Sequence, residues 1–415
     1  MSTHSHRRAR RASTPAKLSL EALERRRCMA GDVSADLEDG RLELDGDGQD
    51  NEILVQQIGA ETFRVTGLNG TTVNGQASQV FASAGIDLDI DLKGGNDLLV
   101  IDDSADRPLV VRTLMIDLGT GSDEAEIDNL IVSEADTVEI KLGKGSENDA
   151  DDLVIDDAVF AGSVKVTTGN GSDDVVVTDT FVAGDLTIDL SGGNDDVMLG
   201  GVNDRVDVAR KLAILGGRGD DVATFQELHA GEVNVAFGDG ASFLEGLDVQ
   251  VAGSFTAKGG DRQNTFDLRT VKAQAMVLEY GKGFTVGELT TIDTRNLSVK
   301  TGGGADALAM IQVTADTFFA NLGRGDDTLT ANQVASDAAI IEGDRGHDTI
   351  ELSFFNGGAS IAPPSGRLTI RGGSGDDTVR LSLVRAAEAL LDGGTNDDTL
   401  EEFLVNITHK EVKNF

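Results

Sequence analysis

The chain is poor in several residue types, and each shortage removes a class of protein. It has one Cys in 415 residues, so neither a disulfide framework nor a cysteine-rich zinc or iron–sulfur site can be built. Trp is absent and Tyr occurs once, which removes the usual platforms for stacking bases or sugar rings. No apolar run approaches the roughly 18 residues of a membrane-spanning helix. Cations are scarce: 35 Lys and Arg stand against 72 Asp and Glu, a formal net charge of −37. Such a chain repels nucleic acid and anionic polysaccharide and draws cations to itself.

The charge is unevenly placed. Residues 1–30 carry eight basic side chains against Glu21 and Glu24, leaving 27 basic and 70 acidic residues in the remainder, a net of −43. The head therefore reads as a basic, disordered or targeting segment outside the fold. Its core, Leu20-Glu21-Ala22-Leu23-Glu24-Arg25-Arg26-Arg27-Cys28-Met29-Ala30, resembles the N-terminal sorting motif of planctomycete extracellular proteins. Cys28-Met29 stands where that motif more often has leucines. The resemblance implies export to an extracellular or cell-surface location. Read from its residues alone, the same stretch also suits a short basic amphipathic helix.

What is abundant is glycine, 51 residues, and it is periodic. An alternating apolar strand, a Gly-x-Gly-x-Asp turn and a second apolar strand recur fourteen times. The central turn position falls at Gly95, Gly121, Gly145, Gly171, Gly193, Gly219, Gly240, Gly260, Gly283, Gly304, Gly325, Gly346, Gly375 and Asn396, at spacings of 20–29 residues. Period-2 alternation with no helical periodicity between strands predicts an all-β fold. The spacing predicts a single-stranded right-handed parallel β-helix, a β-solenoid of about fourteen rungs and roughly 65 Å, with a disordered N-terminal tail. The expected boundaries are 1–30 for the basic segment, 31–80 for N-terminal capping turns, 81–402 for the repeats and 403–415 for a C-terminal capping strand. Asn356–Gly366, inside the longest spacing, is expected as an exposed loop.

Two residues beyond the central position, eleven copies carry a carboxylate: Asp97, Asp123, Glu147, Asp173, Asp195, Asp221, Asp306, Asp327, Asp348, Asp377 and Asp398. Asp152 rivals Glu147 in the third copy, and Ser242, Arg262 and Thr285 are the exceptions. Stacked about 4.8 Å apart along one edge, these carboxylates would repel one another without a cation between them. Ca²⁺, which takes 6–8 oxygens, suits that place. Plain Asp turns, in which the side chain bonds its own backbone, suit it as well.

The turns resemble the Gly-Gly-x-Gly-x-Asp repeats of the repeats-in-toxin family. The nearest copies are Gly216-Gly-Arg-Gly-Asp-Asp221, Gly372-Gly-Ser-Gly-Asp-Asp377 and Leu322-Gly-Arg-Gly-Asp-Asp327. The resemblance implies a stacked calcium ladder; its Asp slot falls on Asp220, Asp376 and Asp326 or on the next Asp of each pair, and the second is preferred here because that slot is the one filled throughout the repeats. It covers the turns alone, because that family packs two turns into each coil and this chain places one in every 20–29 residues.

A β-helix enzyme acting on polysaccharide is the rival class. A hydrolase needs one distinctive carboxylate pair, and none stands out among dozens of carboxylates. The histidines His229, His347 and His409 read as surface or turn residues, and His4 and His6 lie in the basic head. The expected function is non-enzymatic: a secreted or cell-surface structural or adhesive protein binding Ca²⁺ and an unspecified surface polymer or protein, with no nucleic acid and no membrane span. A metal-free scaffold is the alternative.

Overall fold

A computed structural model describes residues 31–101, 107–143, 149–357 and 365–415. The basic head, Glu147 and most of the Asn356–Gly366 loop lie outside these residues. Among them every regular element is a β-strand and there is no helix. The alternation read from sequence is the alternation of burial: in Leu186–Asp189, Leu186 and Ile188 are buried while Thr187 and Asp189 face outward.

Each repeat pairs in parallel with the repeats before and after it. Before the turn, Asp87–Asp91 pairs with Leu114–Asp117, which pairs with Val138–Lys141 and so on to Val164–Thr167 and Leu186–Asp189. After the turn, Leu98–Ile101, Glu124–Val132, Asp152–Phe160 and Asp174–Val177 follow the same order. A sequence separation of 20–29 residues thereby becomes a single hydrogen-bonded step, here called a rung. The core is a set of columns, one residue per rung; Ile90, Ile116, Ile140, Val166, Ile188 and Ile214 form one of them, all essentially solvent-free. Covering the inner face this way meets the demand of parallel sheets for burial.

The two ends differ. Asp32–Glu38 and Arg41–Asp45 form an antiparallel hairpin across Asp39 and Gly40, both with positive φ, as a two-residue turn of that twist requires. Glu52–Gly59, Thr62–Gly67 and Ser78–Ala82 make an antiparallel meander beside it. At the other end Asn406–Lys413 pairs with Arg385–Thr395 in the same parallel sense as every earlier rung.

A second corner of each rung was not legible in the sequence. Within the post-turn strand or directly after it, one residue adopts a left-handed conformation and bends the chain: Asn129, Asp157, Asp179, Glu227, Asp248, Thr270, Thr291, Gln312, Gln333, Phe354, Leu383 and Leu404, with φ between 39° and 58°. Asn and Asp tolerate that region, whereas Thr and Phe are strained there.

Candidate functional site: an aspartate ladder in the turns

The turns stack tightly because they are glycine. Gly325 has φ +131°, and a Cβ on it would lie 1.6 Å from the Gly304 carbonyl oxygen of the preceding rung. Only a residue without a side chain permits that approach. The same approach brings each turn aspartate within reach of its neighbour's backbone. The Asp97 N–H donates to Asp123 Oδ1 at 2.8 Å, and Asp123 N–H to Asp151 Oδ1 at 2.9 Å. Asp151 then donates to Asp173 at 3.0 Å, Asp173 to Asp195 at 3.0 Å and Asp195 to Asp221 at 3.3 Å. After a gap, Thr285 donates to Asp306 at 2.5 Å, Asp306 to Asp327 at 2.7 Å, Asp327 to Asp348 at 2.9 Å, Asp348 to Asp377 at 2.8 Å and Asp377 to Asp398 at 2.8 Å. Each carboxylate thus accepts a backbone N–H that the strand ladder leaves free where the turn ends and the next strand begins.

The sequence expectation of one stacked row is met for Asp97, Asp123, Asp173, Asp195, Asp221, Asp306, Asp327, Asp348, Asp377 and Asp398. Two positions differ. In the third copy Glu147 lies outside the described residues and Asp151 holds the ladder place, while Asp152 faces outward, in register with Glu124 and Asp174. The legible signal was the buried apolar residue two places on, Leu153, as Leu99 follows Asp97. In the eighth copy the turn is longer, and Asn264 replaces Arg262 in the row. Arg262 is exposed and lies 3.6 Å from Asp220.

The gap is repaired by backbone. Asp221 N–H donates to the Ala241 carbonyl, Ser242 N–H to Gln263 and Asn264 N–H to Phe284, at 3.0–3.1 Å. Ser242 Oγ lies 2.8 Å from Asn264 Oδ1, and Asn264 Nδ2 donates to the carbonyls of Gly260 and Arg262. An outer row runs beside the inner one in the opposite sense. Ala241 N–H donates back to Asp220 Oδ1, His347 N–H to Asp326 Oδ1 and Asp397 N–H to Asp376 Oδ1. In the Gly-Asp-Asp turns, Asp220-Asp221, Asp326-Asp327 and Asp376-Asp377, the first Asp is therefore the exposed one and the second the buried one.

Burial sets the electrostatics of the inner row. Its aspartates from Asp97 to Asp377 are at most 2 % exposed. Loss of hydration pushes the carboxyls of Asp97, Asp123, Asp151, Asp195 and Asp327 up to about 7, against the opposing pull of the backbone N–H each accepts. The same cause raises Asp221, Asp306, Asp348 and Asp377 to about 6 and moves Asp173 upward. The second oxygen, Oδ2, is buried without a hydrogen-bond partner in all ten of the aspartates named above from the sequence.

These oxygens are hard donors, the kind Ca²⁺ takes. They come singly: among the described residues no three acidic, His or Cys side chains converge into a metal cluster. A cation in the row would be held by Oδ2 of successive aspartates, with turn carbonyls completing its shell. Among the described residues no helix is long and apolar enough to cross a membrane. Comparison with known protein families, with curated proteins and with solved structures gives no match to this chain.

Proposed function

We propose that this protein is a secreted or cell-surface structural or adhesive repeat protein, a right-handed parallel β-solenoid whose aspartate ladder binds Ca²⁺ along one edge. Right-handedness follows the rule that governs nearly all parallel crossover connections. The observation that carries the cation is the row of ten buried Oδ2 atoms without a partner. A buried carboxylate left so is costly unless a proton or a metal neutralises it. The Leu20–Ala30 segment supports placement outside the cell, where calcium is plentiful. A non-enzymatic role fits a row whose other oxygens are already committed to backbone N–H groups.

A metal-free scaffold is the second reading. It is favoured by the elevated carboxyl pKa values, since protons can neutralise the row instead. Thermal melting of the full chain, followed by far-UV circular dichroism with Ca²⁺, with matched Mg²⁺ and with EDTA, separates the two. Calcium binding to the folded state alone raises the melting temperature with the logarithm of the ligand excess, and Mg²⁺ does not replace it. A melt indifferent to calcium at neutral pH removes the metal and leaves the scaffold.

A further inference from the structure

The three rungs that lack a ladder carboxylate have a second peculiarity. Residues 242–305 contain seven Lys or Arg and seven Asp or Glu, a net charge of zero inside a chain of −37. A groove of about 950 Å³ runs over the same rungs and extends beyond them on both sides. One row along it, one residue per rung in register, is Phe181, Asp207, His229, Gln250, Lys272 and Asp293. The groove reaches one rung further, to Thr314, a length of roughly 29 Å at the usual strand spacing.

Its small residues, Ala209, Gly231 and Ala252, leave the floor clear. Along it Asp207 is tied to His229 at 3.2 Å and Lys272 to Asp293 at 3.1 Å. Gln250, Gln274 and Arg295 lie on the three consecutive neutral rungs and also line the groove. Among the described residues their side chains have no hydrogen-bond or ion-pair partner.

We propose that this groove binds a linear neutral glycan laid along the long axis of the stack. The claim rests on the adhesive part of the function above and names its partner class. Planar amide and guanidinium groups, repeated once per rung, match vicinal hydroxyls with paired donors and acceptors. The rise of an extended pyranose chain is close to the strand spacing, so successive sugars meet successive rungs. The half-exposed Phe181 ring offers an apolar face at one end. A polyanion is repelled by the acidic rungs on both sides of the belt, and a polycation is held better by those rungs than here. An extended peptide binds by adding to a sheet edge, but the backbone groups of these rungs are already paired with their neighbours.

The test is isothermal titration of the full chain with cello-, laminari-, manno- and maltohexaose, and with polygalacturonate as the anionic control. At least one neutral hexaose binds, and the triple variant Gln250→Ala, Gln274→Ala, Arg295→Ala binds it at least tenfold more weakly while keeping its β spectrum. Ala252→Trp, which fills the floor, also abolishes binding. Absence of binding by all four neutral hexaoses overturns the proposal. So does tighter binding of polygalacturonate, or unchanged binding by both variants. The calcium response of the melt is read separately, so loss of the metal reading leaves this outcome intact and the reverse also holds.

Discussion

The two oxygens of each ladder aspartate stand in different surroundings. Oδ1 of Asp348 accepts the Asp327 N–H, whereas Oδ2 is buried with nothing to bond. Nature of the side chain therefore matters less than its acceptor. Asn51 and Asn264 stand in the same row, and Asn51 hands its N–H on to Asp97 at 2.7 Å. Asp348→Asn keeps an acceptor in place and removes the buried charge. The expected result is a folded protein with stability within about 1 kcal/mol of the parent, read by denaturant unfolding. Asp348→Ala strands the Asp327 N–H in a dry turn, and a loss of roughly 1–3 kcal/mol is expected. Equal stability of the two variants would show that the bond carries nothing.

Within one rung, two bends govern geometry and they are built from different chemistry. The glycine turn needs an absent side chain, because the previous rung's carbonyl occupies the place of a Cβ. The opposite corner needs only a left-handed residue, and the chain places Thr270 and Thr291 there at φ 56° and 58°. A β-branched residue in that region stores strain, whereas Asn does not. Thr291→Asn is expected to stabilise the protein by about 1 kcal/mol, measured by the shift of the unfolding midpoint. Thr291 Oγ1 lies 3.3 Å from Gln312 Oε1, on the solvent side, so little is lost with the hydroxyl. No gain, or a loss, would mean that the corner is relaxed by its neighbours. Packing in the neutral rungs follows the same interplay of large and absent side chains. Gly259 leaves room for the Tyr280 ring, which stacks on Phe266 at 5.0 Å.

For the whole molecule the ladder makes stability a function of pH, and the sign is opposite to that of salt-bridged carboxylates. In the unfolded chain these groups titrate near 3.8, and in the folded one burial raises them to about 6 or 7. Between those values the folded state holds more protons than the unfolded state. Stability is therefore fully present below the unfolded value and is lost as pH rises through the folded one. In EDTA the unfolding midpoint is expected to fall as pH rises from about 4 to about 7. High salt should restore little of it, because buried groups are poorly screened. A flat profile would show that the row is already neutralised by something other than protons. A steeper fall erased by high salt would assign the effect to the acidic surface instead.

Much of this was written in the sequence. Period-2 alternation decides which side chains enter the core, and a Gly-x-Gly-x-Asp turn every 20–29 residues forces strands of successive repeats to meet. Both are local rules, legible one repeat at a time, and they placed ten of the ladder aspartates in a single row. The place of Asp151 and Asn264 was not so legible, because an insertion shifts the count from the glycine while the register of the strands stays fixed. Tertiary structure alone decided which face of the turn is dry. Of two adjacent aspartates, Asp220 remains in solvent and Asp221 is sealed, because only the second points under the stacked glycine backbone. The groove was likewise invisible in the chain, since Gln250, Gln274 and Arg295 stand more than twenty residues apart and become neighbours only when each rung is laid upon the last.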